Sequence, residues 1–70
     1  MNLTDAINKL PQREDREFIY DQLNRFNPSD HSKIFKGYID QWRVGKESEP
    51  VEQKKTNAGR RMANLWLLKL

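Results

Sequence analysis

The sequence predicts an all-α fold, a small bundle of three or four short helices. Three observations carry that expectation. Apolar residues recur at the i, i+3, i+4, i+7 spacing of one helical face, and no run sustains the apolar–polar alternation of a half-buried strand. The prolines Pro11, Pro28 and Pro50 fall between the periodic segments, where they punctuate rather than interrupt.

The first helix is expected over Leu3, Ala6, Ile7 and Leu10, with Thr4 as N-cap and Pro11 ending it by disfavouring helical geometry at Leu10. In the second, Pro11 suits a first-turn position, Glu14, Asp15 and Glu17 complement the positive end of the helix dipole, and Phe18, Ile19, Leu23 and Phe26 form the apolar stripe. Ser29 or Asp30 is expected to cap the third helix, whose face carries Ile34, Phe35, Tyr38, Ile39 and Trp42, with Gly45 as the residue that closes it. Together these make one helical domain, residues 1–70: three short helices in 1–45, an exposed linker in 46–50 and a basic amphipathic helix in 51–70. No internal repeat and no low-complexity block divides it.

Composition limits what such a domain can be. A chain of this size buries only about 60% of the surface its unfolded form exposes, so its core contributes roughly 3–5 kcal/mol of net stability. Only 36% of the residues are hydrophobic, and the seven aromatics must anchor the core. There is no cysteine, hence no disulfide framework or thiolate metal site. No secretion leader and no run of about 20 apolar residues is visible, so a cytoplasmic protein that does not enter the membrane is expected.

Charge is unevenly placed. Residues 1–30 hold four cations and six acids, a balance of −2, whereas residues 31–70 hold nine cations and four acids, a balance of +5. From Gln53 onward there is no acid, and Lys54, Lys55, Arg60, Arg61 and Lys69 stand without local compensation, which favours an anionic partner. On a continuous helix Val51, Ala58, Met62 and Leu65 would share an inward face, with Asn57, Arg60 and Asn64 opposite and Arg61 at the margin. Arginine forks and asparagine amides can pair with base edges while lysines neutralise phosphates. Lys54, Lys55, Arg60, Arg61 and Asn64 are therefore the candidate nucleic-acid contacts, set against the plainer reading of a solvated basic face. Lys54 and Lys55 fall on the apolar side, so either they overhang the core or the helix begins after them. Gly59 costs a helix roughly 1 kcal/mol relative to alanine, so either a neighbouring backbone approaches it or the helix starts at Arg60.

The apolar end raises a second possibility. Trp66, Leu67 and Leu70 either complete the core or form an exposed patch for a protein partner, a second copy or a continuation of the chain. The aromatic stripe of Phe18, Phe26, Phe35, Tyr38 and Trp42 is read as core. Catalysis has little footing: His31 is the single histidine, a surface or capping residue, and the acids Glu14, Asp15, Glu17, Glu47 and Glu49 lie in segments read as exposed. No metal site, cofactor or small-molecule substrate is expected.

Residues 59–68, GRRMANLWLL, resemble a short motif in the N-terminal portions of temperate-phage replication initiator endonucleases, a basic pair followed by Ala-Asn and a Trp/Leu cluster. Those enzymes use paired tyrosines and a histidine-bearing metal motif; here there is one histidine, and Tyr20 and Tyr38 stand too far apart in sequence to form that pair. The resemblance thus implies an accessory module of phage or mobile-element type, carrying over Arg60, Arg61 and Asn64. The expected function is a non-enzymatic regulatory or accessory module that binds nucleic acid through its last helix, the alternative being a protein-interaction module built on the Trp66/Leu-rich end.

Overall fold

A computed structural model describes residues 3–70. Four α-helices, α1 (Leu3–Asn8), α2 (Arg13–Leu23), α3 (His31–Ser48) and α4 (Lys55–Leu68), are joined with two 3-10 turns at Pro28–Asp30 and Glu52–Lys54. Among the described residues there is no strand, so the fold is all-α. The helices fall into two compact units, Met1–Ile34 and Phe35–Leu70, whose boundary lies inside α3.

In the first unit α1 packs on α2, with Ile7, Ile19 and Leu23 buried. The connection between them is held by side chains. Arg16 Nη1 donates to the carbonyl of Leu10 at 2.6 Å, and the Tyr20 hydroxyl donates to Asn8 Oδ1 at 3.2 Å, so polar groups left over near the end of α1 find partners on α2. Asp15 is also buried, because it occupies the inward i, i+4, i+8 row with Ile19 and Leu23; the expectation that it faces solvent is corrected. No buried side-chain nitrogen or oxygen among the described residues lacks a hydrogen-bond partner.

Several expected helix ends move. Thr4 lies inside α1, which already includes Leu3, and so does not cap it. Gln12, in extended conformation, precedes α2, leaving Pro11 outside the helix. Asn27 takes the extended position before Pro28, and Ser29 and Asp30 belong to a 3-10 turn that runs straight into α3 instead of capping it. His31 is half-buried and donates Nε2–H to the Phe26 carbonyl at 3.1 Å, tying the start of α3 to the end of the preceding turn.

The second unit is an antiparallel helical hairpin. Pairings run in opposite order along the two helices: Lys55 meets the carbonyls of Lys46 and Glu49, Gly59 meets Trp42 and Gly45, Asn64 meets Tyr38, and Trp66 meets Gly37. Gly45 does not end α3. It sits buried within the helix, three residues before Ser48, with no positive φ, so the linker expected at 46–50 is helical for its first three residues. What glycine supplies there is space. A Cβ at Gly45 would lie 2.7 Å from the Ala58 carbonyl oxygen and 3.0 Å from Gly59 Cα, and one at Gly59 would lie 2.6 Å from the Trp42 carbonyl oxygen. Backbone thus approaches backbone at the crossing, and the first of the two readings of Gly59 holds.

That contact sets the rotation of α4. Its buried row is Gly59, Ala63 and Leu67, not Val51, Ala58, Met62 and Leu65. Met62 and Leu65 are 37% and 50% exposed and Val51 is 41% exposed, so the inward face expected for this helix is corrected. The physical reason is the small-residue row: it lets the hairpin close until Tyr38, Ala63 and Leu67 are each 1% exposed or less, which a row led by Met62 and Leu65 would prevent. Phe35 stacks on Tyr38 with ring centroids 6.3 Å apart and completes the core, while Trp42 stands at its edge with Lys46 Nζ over its ring at 5.4 Å.

Candidate functional site

The rotation of α4 redistributes the residues expected to contact nucleic acid. Arg60 and Arg61, one residue apart, diverge by about 100°. Arg60 is half-buried and engaged within the chain, whereas Arg61 is exposed. Asn64 is half-buried and its Oδ1 accepts a 2.8 Å hydrogen bond from the Tyr38 hydroxyl, so its amide oxygen is committed to the hairpin. Lys55 opens α4 and turns Nζ onto the carbonyl of Glu49 at 2.7 Å and, more weakly, that of Lys46 at 3.5 Å. It neutralises the carbonyl end of α3 and holds the turn. Lys54, in the 3-10 turn, is exposed. Of the five, only Lys54 and Arg61 stand clear in solvent, and a single face carrying both arginine tips with Asn64 is not formed.

The residues expected to meet a protein partner also divide. Leu67 is 1% exposed and unavailable, because it belongs to the packing row. Trp66 is half-buried, its ring laid over Gly37, where a Cβ would come within 2.5 Å of Cη2. Leu70 remains 46% exposed, and Leu68 stands exposed beside it.

Alongside this packing row, α3 and α4 enclose an open groove of about 520 Å³. It is lined by Gln41, Gly45 and Ser48 of α3 and Glu49 just beyond it, and by Ala58, Arg61, Met62, Leu65 and Trp66 of α4 with Lys69 just after it. The lining is mostly apolar. Met62 and Leu65 are therefore outward side chains of a concave surface, not isolated exposures. Neither Arg61 nor Lys69 has an ion-pair partner among the described residues. Eight residues separate the two cations, about 12 Å along the helix axis. At the turn end Glu49 Oε1 accepts from the Val51 amide at 3.1 Å, which fixes the one carboxylate that lines the groove.

Met62, Leu65, Lys69 and Gln41 were not singled out as a site by sequence reasoning. A signal for them exists in the chain: small residues at Gly59 and Ala63, four apart, with glycines at 37 and 45 on the preceding helix, mark a close helix pairing that turns the neighbouring bulky row outward. Within the GRRMANLWLL stretch the same row accounts for Gly59, Ala63 and Leu67 as packing residues and for Asn64 as the partner of Tyr38.

Comparison with protein-family models, with characterised proteins and with solved structures finds no significant match to this chain. No helix among the described residues is long and apolar enough to cross a membrane.

Proposed function

We propose that this chain is a small protein-interaction module whose docking surface is the groove between α3 and α4. The observation that carries the reading is the outward placement of Met62 and Leu65 in a concave, mostly apolar surface next to a core that is already complete without them. Apolar grooves between paired helices are a common seat for amphipathic helices. The polar commitments of Lys55 and Asn64 weigh the same way, since they remove two of the five side chains a nucleic-acid face would use.

Nucleic-acid binding is the second reading, supported by the acid-free stretch from Gln53 onward. It would rest on Lys54, Arg61 and Lys69, with the accessory role of phage or mobile-element type that the resemblance implies. Two titrations separate the readings. The neutral dye Nile red is expected to brighten on the folded chain and to lose that response in a Met62→Gln/Leu65→Gln variant whose circular dichroism is unchanged. Duplex and single-stranded DNA are expected to bind weakly. DNA affinity that falls steeply with salt, with about one counterion of slope lost in Arg61→Ala, together with no dye response, would decide for nucleic acid.

A further inference from the structure

We infer that the partner seated in the groove is an amphipathic helix with acidic residues flanking its apolar stripe. This rests on the groove being a docking surface and adds the chemistry of its occupant. The groove takes apolar side chains on Met62, Leu65 and Trp66, and a helix presents these at i, i+3, i+4 and i+7. Among the lining residues are two cations, Arg61 and Lys69, neither of which forms an ion pair among the described residues. Their axial separation of about 12 Å matches acids seven or eight residues apart on a helix lying along α4, each residue rising about 1.5 Å. Glu49 offsets them only in part: it is one carboxylate against two cations in the lining, and the Val51 amide holds it at the turn end. A bound helix carrying acids on the flank facing α4 would complete both pairs, while a helix with cations there would meet like charge at both ends, which gives discrimination as well as attraction. A second copy of the chain fits less well, since two such grooves face to face would oppose Arg61 and Lys69 with their own kind.

The test uses the full chain and two labelled designed helices of about four turns. They share one leucine stripe and differ only in flanking glutamates or flanking lysines. Fluorescence anisotropy is expected to give the glutamate helix a preference of roughly tenfold or more. That preference should reverse in Arg61→Glu/Lys69→Glu and persist in Lys36→Glu/Arg43→Glu, which changes net charge equally on exposed positions of α3 outside the groove. Circular dichroism verifies that both variants fold. Equal binding of the two helices, preference for the lysine helix, binding of neither, or equal loss in the Lys36/Arg43 variant would each overturn the inference. So would a dimer by sedimentation that closes the groove. If Nile red still responds, only the occupant is wrong; if it does not, the docking surface itself is refuted.

Discussion

Alanine is a better helix former than glycine by about 1 kcal/mol, so Gly45→Ala and Gly59→Ala should stabilise α3 and α4 if each helix stood alone. In the hairpin the added methyl group at either position would press on a backbone carbonyl, at 2.7 Å or 2.6 Å, and neither carbonyl can swing aside as a side-chain tip does. Both variants are therefore expected to lose about 1–3 kcal/mol in urea denaturation. Gly37→Ala should cost less, because the group it meets is the outer ring of Trp66 at the edge of the core. Polar pairing makes a second case. Tyr38 is 1% exposed and its hydroxyl has Asn64 as partner, so Tyr38→Phe is expected to cost about 1 kcal/mol in the same measurement by leaving the Asn64 oxygen unpaired. Asn64→Ala should show a loss of similar size, and little change in any DNA affinity, since that oxygen serves the fold.

The apolar faces of α1 to α3 are legible in the sequence because, Asp15 and Gly45 apart, their buried residues belong to the apolar rows. Ile7, Ile19, Leu23, Phe35 and Tyr38 sit where the helical spacing puts them. The helix ends were less legible, since Pro11, Ser29, Asp30 and Gly45 carry cap or turn chemistry that tertiary contacts override. Gly45 is the clearest instance: its value to the chain is the approach of α4, not a reversal of the backbone. For α4 even the inward face was misread. A hydrophobic pattern weights Met62 and Leu65 heavily and Gly59 not at all, whereas close packing favours the side that lets two backbones touch. The two rows should separate cleanly on truncation. Leu67→Ala removes a side chain 1% exposed and is expected to cost about 2–5 kcal/mol, while Leu65→Ala, at 50% exposure, should change stability by no more than about 0.5 kcal/mol by thermal denaturation.

Across the whole molecule, the charge asymmetry seen in the sequence persists, but its use changes. Residues 35–70 carry eight cations against four acids, a balance of +4, and some of those cations serve the hairpin itself: Lys55 caps α3 and Lys46 lies over Trp42. The cations left at the groove are few and specifically placed, which suits a charged helical partner better than a long phosphate backbone needing many contacts. The site was only half visible beforehand. Its apolar content and its basic character can be counted from residues 51–70, but which side of α4 they occupy is carried by the small residues Gly45, Gly59 and Ala63 and not by the apolar periodicity.

Everything proposed for the groove follows from the way α4 faces α3, and the absence of native cysteine makes that orientation directly measurable. Single variants Met62→Cys, Leu65→Cys, Ala63→Cys and Leu67→Cys, each labelled with a thiol reagent under native conditions, report the exposure of each position. Met62→Cys and Leu65→Cys are expected to react at nearly the rate of the unfolded chain, and Ala63→Cys and Leu67→Cys to be slowed by roughly 100-fold or more, as positions opened only by unfolding are. Fast labelling at 63 and 67 with protection at 62 and 65 would contradict the orientation and remove the groove with it.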